Sequence, residues 1–177
     1  TMAVAALGTL VWRHPLADVL QKSAAPIGAA FTFLALVTGS LWGKPTWGTY
    51  WVWDARLTSD LILLFLSIGY MALTAAVDDA RRADRAGGLL LLVGVVNIPI
   101  IYFSVRWWNA LHQGASVSLT AAPKMASLML SGMLVMSFAA WAWCIAAALW
   151  RVRAIILERE RGAAWVAGVA KVRGAAA

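Results

Sequence analysis

The sequence predicts an all-α, polytopic integral membrane helix bundle, and three observations carry that prediction. Of its 177 residues, 62% are hydrophobic and only 13% are charged, against about 25% charged in a soluble domain. The mean hydropathy is +0.76. The apolar residues are gathered into four long runs, each near the ~20 residues a helix needs to cross ~30 Å of hydrocarbon. The runs are continuously apolar rather than alternating, which indicates helices and not a barrel.

Taken in order, residues 1–12 are apolar but too short to span, and no basic region precedes them as in a signal peptide. They read as the end of a helix that begins upstream, which makes the expected sum five crossings with the first one partial. The first full run extends over about 24–42, with Pro26 placed in its first turn, where a missing N–H is tolerated. The second covers 61–77 and the third 87–105. Within the third, Pro99 predicts a kink, and the nearby Asn97, polar at bilayer depth, predicts a bond to a neighbouring helix or a cap on that kink. The fourth covers 125–150 and contains Cys144, the single cysteine, read as a small buried apolar residue. One cysteine excludes a disulfide framework and a cysteine-based metal site. The alternating Glu158, Arg159, Glu160 and Arg161 read as a solvated helix end. The whole of 1–177 reads as one transmembrane domain with a tryptophan-rich outer loop at about 42–60.

The net charge is +7, but the basic residues lie in short clusters between apolar runs, so no nucleic-acid partner is expected. Residues 13–24 carry two Lys or Arg, 78–86 three and 151–173 six, whereas the alternate loops carry only Lys44, Arg56, Arg106 and Lys124. The positive-inside bias places the first three regions in the cytoplasm, so the loops 43–60 and 106–124 face the periplasm or the equivalent outer side.

Those outer loops hold the unusual residues. Trp42, Trp47, Trp51, Trp53 and Tyr50 fall within twelve positions, followed by Asp54 and Arg56; the second loop carries Trp107, Trp108 and His112. Tryptophan collects at headgroup level in any membrane protein, and for Trp42, Trp141 and Trp150 such a belt is sufficient. It does not account for Trp47, Trp51 and Trp53 crowded into a loop too polar to span. If that stretch is helical, Trp47, Trp51 and Asp54 share one face at i, i+4 and i+7. A flat aromatic shelf suits a large planar ligand, which gains by stacking and by losing water from its faces. Haem is such a ligand, and it also needs an axial base and cations. His112 is the outer histidine and the candidate iron ligand; Lys44, Arg56 and Arg106 are candidate partners for the propionates. His14 falls in the cytoplasmic loop, a membrane thickness away, and is read as a surface residue beside the turn marked by Pro15.

At these residues the chain resembles the cytochrome c maturation protein C family, also called haem exporter protein C. The resemblance rests on the tryptophan-rich WWD stretch from Trp47 through Trp51, Trp53, Asp54 and Arg56 to Ser59. It rests also on Gly94-Val95-Val96-Asn97-Ile98-Pro99-Ile100 leading to Trp107-Trp108-Asn109 and Leu111-His112-Gln113-Gly114. Ala25-Pro26-Ile27-Gly28 and Thr38-Gly39-Ser40 agree too. It is strongest over about 24–115, and Tyr50 stands where a tryptophan is common.

The resemblance implies six helices in the complete protein, with the WWD loop in the periplasm. It also implies a protein that binds haem b transiently and presents it to a periplasmic haem chaperone, maturation protein E. The implied partners are a small membrane protein D and the ABC transporter subunits A and B. In the family two periplasmic histidines ligate the iron: His112 matches the second, and the loop of the first would precede Thr1. The expected function is therefore haem delivery for cytochrome c maturation, without enzymatic activity of its own. A haem-transporting permease subunit of an ABC-type exporter is the alternative. For Asp54 two roles stay open, holding the loop through backbone N–H groups or orienting a partner, and no acid–base pair is expected.

Overall fold

The computed structural model describes residues 2–12, 14–108, 112, 117 and 122–166. It is built from helices throughout: α1 (Met2–Leu7) continuing into one π-helical stretch (Gly8–Trp12), α2 (Pro15–Trp47), α3 (Ala55–Ala76), α4 (Ala80–Trp107) and α5 (Ser127–Arg159). The last four are each long and apolar enough to cross a membrane. An all-α polytopic membrane bundle is thus what the chain forms.

The helices overrun their apolar cores, which corrects several sequence boundaries. Residues 15–23 are not loop but the first turns of α2. Pro15 takes the opening position of that helix, His14 caps it by accepting from the Leu16 N–H, and Pro26 lies in the helix interior rather than in its first turn. Asp54 and Asp79 cap α3 and α4, each accepting backbone N–H groups of the first turn. These caps are local signals that hydropathy cannot register, because polar first turns lengthen a membrane helix without adding to its apolar run.

Helix α3 packs between α2 and α4, while α5 rests against α2. A small core of Ala29, Leu36, Leu57 and Leu64 joins α2 to α3, with Trp47, Trp51, Leu61 and Met71 packed on it. No described residue of α5 is buried, and Phe138, Trp141 and Trp150 stand 72–81% exposed. In water such a helix would be untenable; lipid is the solvent for that face. Asn97 bonds a neighbouring helix, as its sequence position suggested, by donating from Nδ2 to the Ser59 carbonyl at 2.7 Å. Close approach of α3 and α4 depends on Gly87: a Cβ there would lie 2.7 Å from Cε2 of the buried Tyr70. Gly87→Ala should therefore destabilise the bundle by about 1–3 kcal/mol, read as a lowered Tm in micelles, and an unchanged Tm would mean that the two helices do not meet there.

The two ends of the bundle differ. At one, Lys22 lies 2.7 Å from Asp84 and 3.7 Å from Asp18, and Arg159 pairs with Asp18, tying α2, α4 and α5 together. The tail is consequently not merely solvated, since Arg159 is engaged. At the other end lie the aromatic connection between α2 and α3, the close of α4 and His112. Among the described residues, the fold shows the predicted grouping of basic regions at one end and aromatic loops at the other.

Candidate functional site

The aromatic end begins where α2 stops. Gly48 takes a left-handed conformation (φ 77°) and donates its N–H to the Lys44 carbonyl, a glycine C-terminal stop. The chain is non-helical from 48 to 54. Trp47, Trp51 and Asp54 therefore do not share a helical face, and the expected 42–60 loop narrows to these seven residues.

The rings nonetheless gather. Trp42 meets Trp47 edge-on at 5.5 Å, and Trp47 meets the His112 imidazole edge-on at 4.6 Å. Trp51 meets Trp53 at 5.5 Å in the same manner. Trp47 and Trp51 are half-buried against the α2–α3 core, so they anchor the loop, whereas Trp53 is 75% exposed and Trp42 and Tyr50 are also open. The shelf expected from Trp47, Trp51 and Trp53 is thus an anchored edge with one free ring. Trp107 and Trp108 pack against each other at 6.1 Å, with Phe103 stacked on Trp107, and both tryptophans are exposed. The structure does not join that pair to Trp47 by any ring contact among the described residues.

Asp54 is the hinge of the site. Its Oδ1 accepts from the Leu57 N–H at 2.8 Å, and its Oδ2 lies 2.7 Å from Nδ1 of His112. One oxygen thus fixes the start of α3 through a backbone N–H, the first of the two roles read from the sequence, and the other fixes the imidazole, a contact within the chain that the sequence reading did not include. A carboxylate and an imidazole 58 positions apart are bonded here. Both side chains are largely shielded, His112 at 18% and Asp54 at 9% exposed. An ionised carboxylate only accepts, so it favours, for a neutral imidazole, the tautomer with the proton on Nδ1 and the lone pair on Nε2. A carboxylate bonded in this way to the far nitrogen of a histidine orients the ring towards a metal.

Among the cations, Lys44 donates to the Gly48 carbonyl at 3.1 Å and lies 5.1 Å over the Tyr50 ring, so it braces the loop. Arg56 is half-buried in the first turn of α3, one turn from Asp60. The side chain of Arg106 and residues 109–111 and 113–116, which include matches to the second motif, lie outside the described residues. His14 is at the far end, as expected. Sequence reading missed the Asp54–His112 bond, which joins residues 58 positions apart.

The model of the family described as "Heme exporter protein C" matches residues 1–167. The chain belongs to this family. Within the heme exporter protein C family, the protein of Bradyrhizobium diazoefficiens is 64% identical over 138 residues, covering 78% of this chain and 52% of that protein. The Escherichia coli K12 member is 50% identical over 178 residues, covering 98% of this chain and 70% of that protein. A putative cytochrome c biosynthesis ccmC-like mitochondrial protein of Marchantia polymorpha is 50% identical over 117 residues, 66% of this chain and 49% of its own length. The chain thus spans between half and 70% of the length of these heme exporter protein C relatives.

Proposed function

We propose that this chain handles haem for cytochrome c maturation, holding haem b at the aromatic end of the bundle on the periplasmic side of the inner membrane. The bonded pair of Asp54 and His112 carries the reading. It presents one imidazole in the tautomer that binds iron, beside exposed indole rings suited to a porphyrin face. The names of the relatives, heme exporter protein C and a cytochrome c biosynthesis protein, support haem as the cargo. Trp53, Trp42, Trp107 and Trp108 supply open rings, Trp47 and Trp51 hold the loop, and Arg56 is the propionate partner. The excess of Lys and Arg at the opposite end supports a periplasmic aromatic face.

Haem held there would be offered to the periplasmic chaperone, maturation protein E. Protein D and the transporter subunits A and B would be the membrane partners. This chain's own part is binding, orientation and release. A permease route inside the chain is less well supported. The apolar cavity of about 430 Å³ at bilayer depth is lined by residues such as Ile27, Leu66 and Val95, with Thr32 and Ser67 as its hydroxyls and no charged group among the described residues. A path for a dicarboxylate needs polar or charged walls.

The test is haem retention by the purified membrane protein. Trp53→Ala removes an exposed ring, so it should leave the stability within about 0.5 kcal/mol of wild type while weakening haem binding roughly tenfold. Trp53→Phe should keep most of the affinity. Full retention in Trp53→Ala would reduce the exposed rings to an ordinary interfacial belt.

A further inference from the structure

The end of the bundle opposite the aromatic site carries a second feature, independent of the haem reading. A cavity of about 380 Å³ lies there, lined by Thr9, His14, Asp18, Arg81, Asp84, Arg85 and Arg159 among others. Its acids are already neutralised. Asp18 is paired with Arg159 and Lys22, and Asp84 with Lys22 at 2.7 Å. Arg81 and Arg85 line the same cavity, are exposed, and pair with no carboxylate among the described residues. Asp79, the acid nearest Arg81 on the same helix, spends Oδ1 on the backbone N–H groups of Arg81 and Arg82 and turns Oδ2 towards the Arg82 side chain. The cavity therefore holds two uncompensated guanidinium charges one helical turn apart, with the His14 ring on its wall.

What lies beyond the cavity narrows the ligand. Arg81 and Arg85 open a stripe on α4 that continues at the same four-residue step through Leu89 and Val93, then Val96, which are 59%, 64% and 64% exposed. The stripe turns slowly about the helix, cationic at the mouth and apolar down into the bilayer. A free anion has use for the first part alone. A molecule with a phosphate head and acyl chains has use for both. Basic pockets between transmembrane helices are where anionic headgroups bind, and a guanidinium fork suits a phosphate.

We infer that the cavity formed by the π-helical stretch, α2, α4 and α5 is a binding site for an anionic phospholipid, its phosphate held by Arg81 and Arg85 and its acyl chains lying along Leu89, Val93 and Val96. Bound there, the lipid sits beside the ion pairs that join three helices, and so stabilises the end of the bundle away from the aromatic site.

Lipid binding to the purified full chain tests this by native mass spectrometry, with phosphatidylglycerol, cardiolipin and phosphatidylcholine as probes and sodium phosphate as the free-anion control. Wild type should prefer phosphatidylglycerol over phosphatidylcholine by about 30-fold, the equivalent of roughly 2 kcal/mol for two arginines at a membrane surface. Cardiolipin should bind at least as well. Arg81→Gln with Arg85→Gln should abolish the preference while leaving haem binding at the other end unchanged, and the paired lysine substitutions should restore part of it. Both side chains are exposed, so the double variant should fold; its haem content reports that it has. An undiminished preference in the glutamine variant overturns the site. Equal binding of phosphatidylcholine overturns the anionic selectivity. Full competition by millimolar sodium phosphate would show a free-anion site and overturn the lipid.

Discussion

Replacing His112 by alanine should reduce haem affinity by ~100-fold or more, because loss of an iron ligand exceeds the 10–100-fold typical of losing the residue behind it. The ring has two neighbours that give it a fixed place, Trp47 at 4.6 Å and Asp54 at 2.7 Å. Neither is an adequate substitute: an indole has no lone pair for iron, and Asp54 is committed to the first turn of α3. The absorption spectrum of the haem that remains should change, and added imidazole should restore the original bands by filling the space the side chain leaves. An unaltered spectrum and affinity in His112→Ala would take this residue off the iron. The α3 cap is made by the other oxygen of Asp54, so the variant should keep its fold.

Asp54 offers the second large effect, and two substitutions separate its two duties. Asp54→Ala removes the cap on Leu57, costing about 1 kcal/mol of stability, and releases the imidazole, costing 10–100-fold in haem affinity. Asp54→Asn should behave differently. Asparagine caps helices as well as aspartate does, so with its oxygen on the Leu57 N–H the stability should stay near wild type. Its amide nitrogen then faces Nδ1 of His112, donor against donor. The ring must shift its proton to Nε2, which removes the lone pair needed by iron. Normal Tm with poor haem retention is the expected signature. Equal retention in wild type and Asp54→Asn would show that the carboxylate does not set the tautomer.

The sequence was legible where apolar length decides the outcome. Four crossings, the segregation of basic and aromatic ends and the interhelical bond of Asn97 all follow from the fact that lipid neither hydrates charges nor satisfies backbone groups. It was less legible where polar residues extend a helix. Residues 15–23 carry charge and yet are helical, because Pro15 and His14 start α2 early and Lys22 and Asp18 find partners across the bundle. Within the site, residue types pointed to Trp47, Trp51, Trp53 and His112, while their arrangement did not follow. The left-handed Gly48 ends α2 one residue after Trp47, so the helical spacing that seemed to align Trp47 with Asp54 does not apply. Trp51 lies against core residues contributed by both α2 and α3, which only tertiary packing reveals. The Asp54–His112 bond closes 58 positions of sequence and has no local signature at all.

The central claim is that one imidazole, held at Nδ1 by Asp54, binds haem iron through Nε2. The sequence contains two histidines, His14 and His112, at opposite ends of the bundle. A His14→Gln protein grown with ¹⁵N-histidine therefore carries a single labelled ring. Pulsed electron paramagnetic resonance of its ferric haem complex should show a ¹⁵N hyperfine coupling to iron that disappears in His112→Ala. A haem-loaded sample with no coupling to the label would contradict the account.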